Sequence, residues 1–162
     1  MAAPIDSDLS RGLRLSRALK AVRRKRGLRT AEVARAMGLP LRSYEHFEAG
    51  AGRLNIERVH QFAQALEVDP YAILAAVDIA SPAFAARCAD NKLMTILLMA
   101  LQEFDANGQD DLSRVDARSL ITGFTRLFDS LLARARDEEA FVEGWMVDKT
   151  LLGPSDPPDE ND

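Results

Sequence analysis

The residues best suited to contact another molecule lie between Thr30 and Gly50, in the stretch TAEVARAMGLPLRSYEHFEAG. Its apolar positions are spaced so that two short helices, separated by a glycine turn, can bury them on one side. The positions left facing outward on the second helix are Leu41, Arg42, Ser43, Glu45 and His46. A helix pair that presents one polar face fits the major groove of DNA, which is wide enough to admit an α-helix. The stretch therefore predicts a contact with DNA.

Other kinds of chemistry have little support in the sequence. Cys88 is the only cysteine and the chain has two histidines, so we expect no metal centre. The segment 105–116 partly resembles a calcium-binding EF-hand loop, but Asp110 replaces the glycine required at its sixth position. The chain also lacks a glycine-rich phosphate loop and a Ser/His/Asp arrangement. We therefore expect no enzymatic activity and no cofactor.

Charge is distributed unevenly along the 162 residues, which carry a formal net charge of −4. Residues 1–80 contain 13 lysines and arginines against 9 acidic residues, whereas residues 81–162 contain 8 against 16. Within 11–53 there are 12 basic and 3 acidic residues. The basic residues thus concentrate around the outward-facing positions, where they can attract phosphates although the whole chain is acidic.

Helical spacing of apolar residues predicts an all-α protein. After a flexible segment 1–12, we expect a first helix over 13–26 and four more that complete a compact unit over 13–79. Ile56 is expected to begin the buried stripe of the fourth helix. Helix two is expected to begin at a Thr30 cap and stop at Gly38, and Pro40 suits the first turn of helix three. Asn55 is expected to cap helix four, and Asp69 with Pro70 to begin helix five.

The second half of the chain predicts about three further amphipathic helices. A helical stretch begins at Ser81, and the apolar face that follows it runs from Leu93 to Phe104, before a polar loop, DANGQDD. A long helix ends near Arg136, and a last helix opens at Asp137. These faces have no obvious core of their own, so we expect 80–152 to be a dimerisation or partner-binding region. The acidic tail 153–162 has too few apolar residues to pack and is expected to be disordered.

Dimerisation is favoured for this region over a docking surface for RNA polymerase or a co-regulator, and over a ligand-sensing pocket. One recognition helix contacts only a few base pairs, whereas a twofold dimer doubles the interface. The residues expected at the interface are Leu120, Phe124, Leu127, Phe128, Leu131 and Trp145.

Residues 13–78 resemble the Cro/repressor-type helix-turn-helix domain, also called the XRE type. The spacing from Gly27 to Leu74 needs no insertion or deletion. The resemblance implies a five-helix, lambda-repressor-like fold and a sequence-specific transcription regulator that binds double-stranded DNA as a homodimer. The features that carry it are Gly27-Leu28, Val33-Ala34, Met37-Gly38-Leu39, Phe47-Glu48, Gly50, Asn55-Ile56-Glu57, the segment 63–68 and Ile73-Leu74.

The resemblance also implies roles for individual residues. It places base contacts at the five outward-facing positions, of which Arg42 is the strongest candidate because a guanidinium can donate to both major-groove acceptors of guanine. A phosphate contact is the alternative for this arginine. The chain departs from the family's usual polar residues at Thr30 and Leu41, so the target sequence does not transfer. The implied phosphate contacts are Arg24, Arg26, Arg29, Thr30 and Arg53.

Two other functional classes remain open. One is the antitoxin of a toxin–antitoxin pair, and the other is a helical adaptor without DNA binding, which Leu41, Glu45 and Glu48 would suit. Repression and activation are equally compatible with the sequence. No apolar run is long enough to cross a membrane and the N-terminus lacks a signal-peptide layout, so we expect a cytoplasmic protein, associated with the nucleoid when bound to DNA. The Ala- and Arg-rich composition favours a bacterial or phage origin.

Overall fold

The computed structural model describes residues 4–151, and the side chains of residues 10–138. The regular elements within residues 4–151 are all helical, as the sequence predicts. The chain divides into an N-terminal unit that ends at Asn107 and a C-terminal unit that begins at Gly108. The elements are α1 (Pro4–Lys25), α2 (Thr30–Ala36), α3 (Leu41–Glu48), α4 (Ile56–Leu66), α5 (Pro70–Asp78), α6 (Pro82–Arg87), α7 (Leu93–Gly108), a 3-10 helix (Gln109–Arg114) and α8 (Ala117–Leu151).

Helices α1 to α6 build the core of the N-terminal unit. α1 packs against α5 and α6, α2 packs against α3 and α4, and α4 packs against α5. Each helix turns an apolar stripe towards its neighbours, as amphipathic helices do. The largest fully buried apolar and aromatic side chains are Leu19, Val22, Val33, Tyr44, Val59, Phe62, Ile73 and Val77.

Local sequence fixes where several of these helices begin and end. The Asn55 side chain accepts a hydrogen bond from the Arg58 amide (2.9 Å), which confirms the predicted cap of α4. Pro70 occupies the first turn of α5, directly after the Asp69 cap. Gly38 has a left-handed φ of 65° just after α2, and the next amide, that of Leu39, donates to a carbonyl of that helix (2.8 Å). These short connections fix the angle between α2 and α3.

Asp69 is fully buried and caps two helices at once. Its Oδ1 accepts hydrogen bonds from the Tyr71 amide at the start of α5 (3.0 Å) and from the Thr95 hydroxyl (2.8 Å). Its Oδ2 accepts from the amides of Met94 and Thr95 at the start of α7, each at 3.0 Å. The carboxylate therefore satisfies donors that lack a partner within either helix, and it attaches α7 to the bundle.

The beginnings of the first three helices differ from the expectation. α1 begins at Pro4, so the segment expected to be flexible is helical from residue 4 onward. Arg29 rather than Thr30 occupies the cap of α2, where its amide donates to the Glu32 carboxylate (2.7 Å). Pro40 lies at the cap position of α3, one residue before the first turn. A helix start depends on which backbone amide finds an acceptor, and a carboxylate three residues later supplies one for Arg29.

The bundle also extends beyond residue 79, because α6 packs against α1 and α5 and buries Ala85. Ile56, expected in the buried stripe of α4, is 55% exposed because it lies in the first turn, ahead of the packed part of the helix. The segment DANGQDD is not a loop: α7 continues to Gly108, and a 3-10 helix follows.

Within the described part of the C-terminal unit, one long helix, α8, spans the region where the sequence predicts two. The run ARDEEA at the expected boundary consists of residues that are compatible with a helix interior, with no proline or glycine to interrupt it. All side chains from Ser113 to Glu138 are exposed. The side chain of Trp145 and the predicted tail 153–162 lie outside the described residues. Among the described residues, no helix is both long and apolar enough to cross a membrane.

Candidate nucleic-acid interface

Helix α3 has a buried side and an exposed side. Tyr44 and Glu48 are buried and Phe47 is half-buried. All five positions predicted to face outward are exposed, which leaves their side chains accessible to another molecule. They are Leu41, Arg42, Ser43, Glu45 and His46.

An aromatic cluster holds the inner side of α3 against α4. The rings of Tyr44 and Phe62 lie nearly parallel, with centroids 6.5 Å apart, and Phe47 meets Phe62 at a centroid distance of 6.2 Å. Aromatic pairs at such distances add to the free energy gained from burial. The cluster therefore fixes α3 on the bundle with its opposite side outward.

An ion pair between half-buried Arg23 and buried Glu48 ties the end of α3 to α1. The Arg23 guanidinium donates to both carboxylate oxygens of Glu48, through Nε to Oε1 and through Nη2 to Oε2 (3.2 Å), and Nη1 donates to the Leu28 carbonyl (3.0 Å). The Tyr44 hydroxyl donates to the same carboxylate (2.7 Å). Burial and the Glu48 carboxylate raise the pKa of Tyr44 far above its ordinary value, so this hydroxyl remains a donor even in alkaline solution. The hydrogen bond to Glu48 likewise raises the pKa of Arg23.

The Gly12–Gly50 contact brings the backbones of α1 and the α3 end close together. A Cβ atom on Gly12 would lie 2.5 Å from the Gly50 carbonyl oxygen, a distance that carbon atoms do not tolerate. Gly50 also has a left-handed φ of 67°, which favours glycine. The contact explains why a glycine is tolerated within α1, and it supports the C-terminal end of α3.

An open groove beside α3 gathers three arginines. The side chains of Arg42, Arg53 and Arg58 line it, and none of them forms an ion pair with another described residue. No acidic residue contributes to its lining. The groove therefore combines positive charge with neutral donors and acceptors, a combination suited to a phosphate backbone and the base edges beside it. Its other lining residues are Pro40, Ser43, His46, Phe47, Ala51 and Asn55.

Two polar residues of the groove are not predicted as contacts from the sequence, Arg58 and Asn55. Arg58 lies in the first turn of α4, and Asn55 caps that helix. A basic residue in this turn, five positions after Arg53, is a feature of the sequence that could have indicated the wider surface. Whether Arg58 lies beside α3 depends on how α4 packs against α3, and the spacing of apolar residues alone does not specify that packing.

The other predicted contact residues do not line the groove. Leu41 and Glu45 are exposed elsewhere on α3, and Arg24 and Arg29 are exposed beyond it. Arg29 pairs with Glu32 (3.4 Å) and lowers the pKa of that carboxyl. Thr30, half-buried in the first turn of α2, is not part of the lining either.

Arg26 is bound within the protein. Its guanidinium donates to the carbonyls of Leu66 (3.0 Å) and Glu67 (3.1 Å) and forms an ion pair with Asp90 (2.6 Å). These bonds join the end of α1 to the end of α4 and the segment after α6. We therefore leave Arg26 out of the interface, although the family resemblance implies a phosphate contact there.

Comparison with known proteins identifies the kind of domain. A family model described as a helix-turn-helix domain matches residues 14–76, which span most of α1 and continue into α5. No curated protein and no solved structure matches the chain. The match confirms the helix-turn-helix domain predicted from the sequence, and domains of this kind bind DNA in regulators. The finer Cro/repressor-type assignment stays a prediction.

Proposed function

We propose that the protein is a sequence-specific transcription regulator that inserts α3 into the major groove of promoter or operator DNA and binds as a dimer. The observation that carries this proposal is the groove beside α3. Its three arginines have no acidic neighbours in the lining and no ion-pair partners among the described residues. An unneutralised cluster of guanidinium groups costs electrostatic energy in the free protein, and phosphates relieve that cost.

The positions of the groove residues support a division of roles. Arg42, Ser43 and His46 lie on α3 itself and are assigned to base edges, whereas Arg53 and Arg58 flank the helix and are assigned to phosphates. Leu41 lacks a hydrogen-bonding group and is assigned to a thymine methyl. Exposed Arg24 and Arg29 and half-buried Thr30 remain candidates for phosphate contacts further along the backbone.

The alternatives are less well supported. A helical adaptor without DNA binding loses one of its arguments, because Glu48 is buried against Arg23 instead of exposed to a partner. An antitoxin would use the same DNA surface, and it differs from a regulator only in what the region 80–152 binds. Families with this kind of domain are typically not enzymes.

The proposal is tested by selecting bound sequences from a random DNA pool with the full-length protein, and then measuring affinity at several salt concentrations. We expect the affinity to fall steeply with salt, as phosphate contacts require. Arg42→Ala should reduce discrimination at one base pair by about 5- to 150-fold, because a bidentate contact contributes roughly 1–3 kcal/mol. Arg53→Ala should weaken binding to all sequences equally and reduce the salt slope by about one.

Arg87→Ala is the matched control, because Arg87 is an exposed arginine on α6 that does not line the groove. It should leave both discrimination and the salt slope unchanged. Binding that is independent of salt, or a selected pool that remains random, would contradict the proposal.

A further inference from the structure

We propose that α8 pairs with α8 of a second copy of this chain in antiparallel orientation. The inference builds on the dimer in the proposed function and specifies the surface and the direction of the two helices. It rests on the exposed apolar stripe of α8, on its length, and on the opposite charges of its two halves.

The apolar stripe of α8 is continuous and is left uncovered by the described side chains of the C-terminal unit, residues 108–138. The spacing of its members follows one helix face over more than three turns. Every one of them is more than a third exposed. A helix owes most of its stability in water to packing of such a face, so a 35-residue helix without a covering surface is incomplete. The stripe consists of Leu120, Ile121, Phe124, Leu127, Phe128 and Leu131.

Charge divides the same helix at its middle. Residues 117–136 contain four arginines and one aspartate, a net charge of +3. Residues 137–151 contain five acidic residues and one lysine, a net charge of −4. Among the described side chains, none of the four arginines forms an ion pair. Both halves therefore carry charge that a partner can neutralise.

The division of charge selects the orientation. Two α8 helices in parallel would place the basic half beside the basic half and the acidic half beside the acidic half, and like charges across an interface are costly. An antiparallel pair places each basic half beside an acidic half. Charges that flank an apolar seam are what determine orientation in paired helices. A second copy of the same helix thus supplies both the apolar cover and the opposite charge.

The test measures distances between spin labels in the full-length protein. Single cysteines are introduced by Thr122→Cys or Ala133→Cys in a Cys88→Ala background, because both positions are exposed, uncharged and on the side of α8 opposite the stripe. Residue 133 lies one position from the middle of α8 and residue 122 lies twelve positions from it. At 1.5 Å per residue, antiparallel pairing with full overlap separates the two labels at 122 by about 36 Å along the axis, but those at 133 by only about 3 Å.

We therefore expect a clearly longer distance at 122 than at 133. Equal distances at the two positions would indicate parallel pairing and overturn the proposal. If the labels showed no dipolar coupling and sedimentation gave the mass of a monomer, the proposal would also be overturned. The stripe would then be covered by another protein or by this chain itself. DNA affinity of the same samples is a separate result: an antiparallel dimer that does not bind DNA would leave this inference standing and contradict the proposed function.

Discussion

The N-terminal bundle and α8 are built from the same kind of helix, yet among the described side chains only those of the bundle form a buried apolar core. Phe62 in α4 is fully buried, whereas Phe124 in α8 is 48% exposed. Both residues belong to stripes with helical spacing. The difference teaches that such a stripe predicts burial without specifying the surface that provides it. In the bundle, other helices of the same chain provide that surface. For α8, we propose that a second copy of the chain provides it.

Matched substitutions of two phenylalanines give the largest expected effect. Phe62→Ala should lower the free energy of unfolding of the bundle by about 3–5 kcal/mol, because it removes a buried ring from the aromatic cluster and leaves a cavity. Phe124→Ala should change that value by less than about 0.5 kcal/mol, because the ring is 48% exposed and is not a member of the buried core cluster. Urea unfolding followed by circular dichroism measures both.

Phe124→Ala should instead raise the protein concentration at which dimers form, measured by sedimentation. If the two variants destabilised the bundle equally, the contrast between a self-contained core and a dependent helix would be wrong.

Removing the arginine that pairs with the buried Glu48 carboxylate is expected to have the next largest effect. Arg23→Ala should destabilise the bundle by about 3 kcal/mol, because Glu48 would remain buried with only the Tyr44 hydroxyl for a partner. Arg24→Ala is the matched control at the next, exposed position and should change stability by less than about 0.5 kcal/mol. Thermal unfolding of both variants measures the difference.

Adding Glu48→Gln to Arg23→Ala should restore part of the lost stability, because an uncharged amide is less costly to bury than an unpaired carboxylate. If the double variant were less stable than Arg23→Ala alone, the loss would come from packing and not from the unpaired charge.

The smallest expected effect concerns Asp90, an exposed carboxylate that forms ion pairs with Lys25 and Arg26. Hydrogen bonds from Lys25 and Arg26 lower the pKa of Asp90 below its ordinary value of 3.8. A carboxylate whose pKa is lowered on folding stabilises the protein above its unfolded pKa, and the contribution is lost as the pH falls through the folded pKa. Asp90→Asn should therefore be less stable than the unmodified protein at pH 7, and the difference should shrink below about pH 4.

Denaturant unfolding at pH 7 and pH 3 measures this difference. Asp105→Asn on α7 is the control, because Asp105 is exposed and has no ion pair among the described residues. The expected result is a difference in the free energy of unfolding between Asp90→Asn and the unmodified protein that changes with pH. If that difference stayed constant with pH, the ion pairs would contribute nothing measurable to stability.

Local features of the sequence predict much of the fold. The caps at Asn55 and Asp69, the turn at Gly38 and the exposed side of α3 all depend on neighbouring residues, and all are present in the structure. The continuity of α8 through the ARDEEA run is not predicted, because a cluster of charge resembles a helix start as much as a helix interior.

At the site, the sequence does not predict the contacts between residues that lie far apart along the chain. The Arg23–Glu48 pair, the internal bonds of Arg26 and the Gly12–Gly50 approach each join residues at least 25 positions apart. Each depends on how complete helices pack, which an apolar stripe restricts only loosely. Helical spacing correctly leaves Arg42 exposed, but it cannot exclude Arg26 or include Arg58.

The double cap at Asp69 has a consequence for how the bundle opens. A helix end normally frays independently of other helix ends, and its first amides then exchange hydrogen with water at low cost. Here one carboxylate holds the amides of Tyr71, Met94 and Thr95. Any motion that withdraws it uncovers the starts of α5 and α7 together. We therefore expect the three amides to open in one cooperative step and to exchange at a common free energy, although they lie in two different helices.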